Sequence, residues 1–155
     1  MLKVILASKS KVRKDILNNN NIQCSVEPAN IDEDSIKSSL TKEGAFPEII
    51  SKNLAELKAN KISQKKNEEI VIGADSVIDL NGEIISKPSS REEAMEILKK
   101  LNGKKHQLIS SVCISKNGSM IWNYTDKAEL IMKQMNDDEL KSYLSKIKDE
   151  DLYAY

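Results

Sequence analysis

Ser8, Ser10 and Arg13 are the first residues whose types and spacing could do chemistry. They follow an apolar run, Leu2-Lys3-Val4-Ile5-Leu6, and precede a helical pattern. A strand that passes through a short Ser-bearing loop into a helix aims free backbone N–H groups and the positive end of the helix dipole at one place. Two hydroxyls and a guanidinium beside that place would complete an anion site, most naturally for phosphate. The simpler reading makes Ser10 an ordinary N-cap and leaves Arg13 solvated. Composition favours a use for Arg13. Of 24 Lys and Arg residues only Arg13 and Arg91 are Arg, and the planar guanidinium offers a bidentate fork that Lys lacks. Arg91 has a plainer place, in the first turn of an exposed helix.

Asp75 is the sharpest single residue. It follows Ile70-Val71-Ile72-Gly73-Ala74, and is expected at the C-terminal end of a central strand, where α/β sheets place their ligand sites. A carboxylate there could hold a divalent cation or orient a water, or it could simply be a turn aspartate. Asn81-Gly82 signals a tight hairpin, which sets Lys87 across from Asp75. That pair is either a salt bridge or a carboxylate and an ammonium suited to a metal-bound phosphate. The single histidine, His106, reads as structural rather than as a general base.

Composition excludes several functions. The chain has 155 residues, enough for one domain with its own core. Its formal net charge of +0 gives no support for binding nucleic acid or a membrane surface. With aromatics at 4%, base-stacking platforms are not expected. No GxGxxG, P-loop, paired-His metal motif or nucleophile elbow is present. Cys24 and Cys113 lie in apolar runs and are expected as buried free thiols, in keeping with a cytoplasmic protein.

The elements that must position these residues follow from periodicity. Lys9 to Asn19 reads as a helix with Val12, Ile16 and Leu17 on one face, and Ile22 to Val26 as a strand. Asn30 to Asp34 reads as a solvated acidic loop. The longest helix runs from Phe46 to about Gln64, with a stripe of Phe46, Ile49, Ile50, Leu54 and Leu57 and with Pro47 in its first turn. Ser90 and Glu93 open a helix to Leu101 that buries Ala94, Leu98 and Leu101. Strands at 106–115 and 119–132 are joined through Asn117-Gly118, and Asn136 caps a last helix that turns Leu140, Tyr143, Leu144 and Ile147 inward. The order β-α-β-α-β-β-α-β-β-α describes an α/β protein, a mixed sheet flanked by helices, in a single domain over residues 1–155.

LASKSKVRKDIL at 6–17, VIGADSVIDLNGEIISKP at 71–88, the segment from Ala94 through Asn102-Gly103-Lys104-Lys105-His106, and Asp126-Lys127-Ala128-Glu129 together resemble the Maf family. The resemblance runs in order over nearly the whole chain. It implies an elongated, two-lobed fold of the inosine-triphosphatase type with a central cleft. The implied activity is that of a nucleoside triphosphate pyrophosphatase, a hydrolase that cuts a nucleotide to its monophosphate and pyrophosphate and removes non-canonical or surplus nucleotides. An alternative role is a non-catalytic nucleotide-binding or cell-division-associated regulator. By resemblance, Asp75 is the general base, acting with a divalent cation, Mg²⁺ or Mn²⁺, which Asp75 and Glu33 hold. Ser8, Ser10, Arg13, Lys58 and Lys87 bind the substrate phosphates. Val12 and Ser76 occupy base-selectivity positions, where Val and Ser are atypical. The partners implied are a nucleoside triphosphate and a second copy of the chain, with no nucleic acid or membrane. The family continues into a Gly-rich segment with a further selectivity residue, which this chain is expected to lack after Tyr155.

Overall fold

A computed structural model describes residues 2–153. Three parallel strands, two of them short, begin the sheet. β1 (Val4–Leu6) pairs on one side with β2 (Ser25–Val26), in register Ile5 to Ser25, and on the other with β3 (Ile70–Leu80), in register Ile5 to Val71. The first connection is α1 (Lys11–Asn19), and the second is α2 (Glu33–Lys42) followed by α3 (Pro47–Ser63). Parallel neighbours require such crossovers, and β1, buried between two strands, is accordingly apolar. The sheet order is β2-β1-β3-β5-β6, with β4 (Glu83–Ile85) also pairing with β3. The mixed α/β architecture read from the sequence is therefore the one observed.

Both Asn-Gly hairpins form. Asn81 and Gly82 have φ of 52° and 89°, and Asn117 and Gly118 have φ of 51° and 83°. Positive φ at both central residues is the turn whose twist suits antiparallel strands, and Asn and Gly tolerate it at little cost. The first turn joins β3 to β4 with Leu80 opposite Glu83, and the second joins β5 (Lys105–Lys116) to β6 (Ser119–Ile131). α4 (Arg91–Leu101) starts where expected: Ser90 Oγ accepts from Glu93 N at 3.0 Å. The Glu93 carboxylate reaches back one residue further than a capping box does and accepts from Ser89 N at 2.7 Å. α5 (Asp137–Ser145) is capped by Asn136, and α6 (Asp149–Leu152) follows it.

The chain divides into two compact units. The first comprises residues 1–76 and 109–126, the second residues 77–108 and 127–155, so β3, β5 and β6 each pass from one to the other. In the first, Ile5, Ala7, Ala55, Ala59, Ile62, Val71 and Cys113 form a core between α3 and the sheet. In the second, Leu80, Ile85 and Leu101 form one cluster and Ala94, Leu144 and Leu152 another.

Several expectations change. The acidic loop is the start of a helix: Asp32 is the N-cap of α2, accepting from Ser35 N at 3.1 Å, and Glu33 is in its first turn. β2 is two residues long, and Cys24 is only half-buried, whereas Cys113 is buried. α1 begins at Lys11 and buries no residue, with Val12 and Ile16 exposed. In α3, Ile50 and Leu54 are buried but Ile49 and Leu57 are exposed, as is Phe46 at its N-cap, and in α5 Tyr143 is half-exposed. Apolar periodicity identified these helices but overstated the width of the face they bury. Ala154 and Tyr155 lie outside the described residues. Among the described residues no helix is long and apolar enough to cross a membrane.

Candidate functional site

Asp75 sits in the middle of β3, not at its end. The correction has a simple origin. β1 stops at Leu6, opposite Ile72, while β3 continues to Leu80, so Asp75 lies three residues past the end of the parallel pairing. The place is still where a parallel neighbour ends. Gly73 shapes it from below: a Cβ there would come within 2.3 Å of the Ala55 carbonyl oxygen and 2.7 Å of Ala59 N. The missing side chain thus serves the close approach of α3 to β3.

That approach lays Lys58 and Ser51, both buried residues of α3, against Asp75. Lys58 Nζ donates to Asp75 Oδ1 at 3.1 Å, lies 2.7 Å from Glu33 Oε1, and reaches the Ala74 carbonyl at 3.4 Å. Ser51 Oγ donates to the Asp75 carbonyl at 3.1 Å. From the other side Arg13 Nη1 donates to the Ala74 carbonyl and to Ser8 Oγ, each at 3.0 Å. Two cations from different helices therefore converge on the backbone next to Asp75. Ser8 Oγ also accepts from Ser10 N at 3.2 Å, so both its lone pairs are engaged and its O–H remains to donate. Ser10 is the N-cap of α1, accepting from Arg13 N at 3.3 Å.

Asp75 is 4% exposed, and its Oδ2, also buried, has no hydrogen-bond partner among the described residues. Desolvation raises the Asp75 pKa, against the opposing pull of Lys58 and Lys37, and Glu33 adds a smaller upward push. The Arg13 pKa is lowered by burial, partly offset by Asp75 and Glu33. Two cations, Arg13 and Lys58, thus meet two carboxylates, Glu33 and Asp75, with the charge of Lys37 also felt at Asp75. An orphaned acceptor beside concentrated cationic donors can take a proton or a cation while an anion is held next to it.

The structure brings Ser8, Arg13, Glu33, Lys58 and Asp75 into one cluster, with Ser10 at its edge. Val12 is exposed on α1. Ser76 follows Asp75 on the strand and so points to the opposite face, where its Oγ lies 2.9 Å from Ser110 Oγ. Lys87 is an exposed residue of the second unit, just past β4. Sequence reasoning missed Ser51 and Lys37. Lys37 lies four residues after Glu33 on α2, a spacing that places both on one face, but that signal required α2 to be recognised as a helix.

The sequence matches the Maf-like protein family over residues 3–152. It is 74% identical over 152 residues to a Pelagibacter ubique protein named nucleoside triphosphate pyrophosphatase, covering 98% of this chain and 78% of that protein. A Brucella abortus protein named 7-methyl-GTP pyrophosphatase is 36% identical over 148 residues, covering 96% of this chain and 74% of that protein. Among solved structures, a Mycobacterium abscessus nucleoside-triphosphatase / dITP/XTP pyrophosphatase superposes with a TM-score of 0.53 at 9% identity, over 86% of this chain and 76% of that one. The Staphylococcus aureus Ham1 protein does so with a TM-score of 0.50 at 20% identity, over 83% and 69%. These two likenesses are of fold. With the family match spanning almost every residue and the identity to a curated relative this high, the chain belongs to the Maf family.

Proposed function

We propose that this chain hydrolyses nucleoside triphosphates to a nucleoside monophosphate and pyrophosphate. The observation that carries the reading is the buried Oδ2 of Asp75, without a partner among the described residues, beside the cationic donors Arg13 and Lys58. The names of the relatives in Pelagibacter and Brucella agree with it. Cleavage of the anhydride between the α- and β-phosphates adds a water, and Asp75 Oδ2 is the atom suited to take that water's proton. The oxygen it leaves behind forms the new bond to phosphorus while pyrophosphate departs with the electron pair of the broken P–O bond. Negative charge grows on the phosphate oxygens meanwhile. The guanidinium of Arg13, the Ser8 hydroxyl and the N-terminal N–H groups of α1 are the preorganised donors that stabilise it. Ser10 holds that loop in shape, and Lys87 is assigned to the same polyphosphate.

The cluster suits a divalent metal. Carboxylate oxygens are hard ligands of the kind Mg²⁺ and Mn²⁺ prefer, and the orphaned Oδ2 sits in a polar setting. Among the described residues no group of three or more His, Cys, Asp or Glu could hold an ion. Asp75 and Glu33, the acidic residues that the family resemblance assigns to the metal, would be its protein ligands, and phosphate oxygens and waters would complete the shell, as is common for Mg²⁺. When bound, the cation would offset phosphate charge and polarise the anhydride. Val12 and Ser76 are assigned to base selectivity, removal of surplus or non-canonical nucleotides to the biological role, and the cytoplasm to the location. A homodimer of single-domain protomers completes the proposal.

Incubating the protein with a panel of nucleoside triphosphates and Mg²⁺ or Mn²⁺ tests the reading. Equal amounts of monophosphate and pyrophosphate are expected. Release of orthophosphate without pyrophosphate would contradict it, and tight binding without turnover would favour the regulatory alternative.

A further inference from the structure

Lys58 is placed in a way that phosphate binding does not explain. Its ammonium has three N–H donors, and three acceptors of this chain surround it: Glu33 Oε1 at 2.7 Å, Asp75 Oδ1 at 3.1 Å and the Ala74 carbonyl at 3.4 Å. It is 6% exposed, as buried as Ser8 and Asp75 beside it, and its three donors are already engaged. A cation is thus already seated between the two carboxylates assigned to the metal. Together the three side chains carry a net charge of minus one, where the carboxylates alone would carry minus two.

We infer that Lys58 makes divalent-cation binding conditional on the nucleotide. The inference rests on the reading above, in which Asp75 and Glu33 hold the metal. A divalent ion approaching the free protein meets an ammonium that shares both carboxylates and repels it at short range. Its affinity for the protein alone is accordingly weak. A triphosphate supplies the missing negative charge and oxygen ligands, so cation and nucleotide enter together. Asp75 Oδ2, buried and without a partner among the described residues, keeps two lone-pair sites open, one for the cation and one for the proton of the attacking water. Lys58 is then a positioning residue that holds Oδ1 and Glu33 in place, and its substitution should be felt first by the metal.

Mn²⁺ binding followed by electron paramagnetic resonance reads this directly, without turnover. Wild-type protein, Lys58→Met and Lys58→Gln are titrated with Mn²⁺ alone and with an α,β-methylene nucleoside triphosphate present, and thermal melts confirm that each variant is folded. Wild type should bind Mn²⁺ weakly alone and tightly with the analogue. Either neutral variant should bind Mn²⁺ about tenfold or more tightly than wild type in the absence of nucleotide. If wild type binds Mn²⁺ with the analogue but neither folded variant binds it more tightly alone, the inference about Lys58 is wrong and the metal assignment survives. If wild type forms no protein-bound Mn²⁺ complex under either condition, both fall. The second variant guards against one that does not fold.

Discussion

At the scale of single residues, Asp75 combines two demands that conflict. The proposed role of proton acceptor requires it to be ionised, yet burial disfavours the ionised form and raises its pKa. For activity, the sign follows directly: the carboxylate must be deprotonated, so kcat/KM should fall as pH drops through the raised value. The acid limb should lie above the ordinary carboxylate range, and a limb at or below that range would remove Asp75 from the role. For stability the sign is opposite. A raised folded-state pKa contributes stability that is fully present below the unfolded value and lost as pH rises through the folded one. Asp75→Asn, which cannot ionise, should therefore melt no lower than wild type at pH 8 while losing about 10²–10⁴-fold in kcat. Lys58 keeps Glu33 at 2.7 Å in that variant, so it is not left as an unpaired buried charge.

Arg91 shows what residue type alone could not reveal. Its position in the first turn of a helix suggested simple solvation. Instead Nη1 donates to the Leu144 carbonyl at 3.1 Å, Nη2 to the Ile147 carbonyl at 2.6 Å, and Nε to Asp149 Oδ1 at 2.9 Å. It closes the C-terminal end of α5 and ties α4 to both helices that follow. Arg91 spreads its fork over three nitrogens across elements, whereas Arg13 reaches both of its acceptors through Nη1 alone. Each guanidinium meets a carbonyl more than fifty positions away, and no local pattern encodes that.

At the scale of elements, what could be read was local chemistry. Asn-Gly at 81–82 and 117–118 fixes positive φ within two residues, and Ser90, Pro47 and Asn136 mark helix starts. What escaped was set by distance. α2 offers only Ile36 and Leu40 as apolar residues on a polar decapeptide, too little for periodicity to register, although Asp32 and Ser35 form a cap. The extent of β3 escaped because Gly73 looks like a strand end in sequence, whereas its role is to admit α3. Two stability predictions follow at this scale. Gly73→Ala forces its methyl into backbone atoms of α3, and overpacking of this kind costs about 1–3 kcal/mol or more. Because α3 carries Lys58 and Ser51, activity should fall along with the urea midpoint. Arg91→Ala, which removes three charged hydrogen bonds, should cost about 1.5–3 kcal/mol, with Arg91→Lys recovering only part of it. The same urea titrations distinguish these outcomes from a neutral surface change.

At the scale of the whole molecule, β3, β5 and β6 are each shared by the two compact units, so each contributes backbone pairing to both. Loss of one unit would strip these strands of part of their packing while the chain stays continuous. A single cooperative transition is therefore expected for residues 1–155, consistent with one domain. The proposed nucleotide site offers a way to test this, because the residues of its central cluster, Ser8, Arg13, Glu33, Lys58 and Asp75, all belong to the first unit. A ligand that binds only the folded state at about 100 times its Kd stabilises it by about 2.7 kcal/mol. For a chain of this size that corresponds to a rise of about 5–10 °C in Tm. With an α,β-methylene nucleoside triphosphate and Mg²⁺, calorimetry should show one peak that moves as a whole, in wild type but not in Arg13→Ala. Two peaks, of which only one shifts, would mean that the units unfold separately and that the shared strands do not couple them.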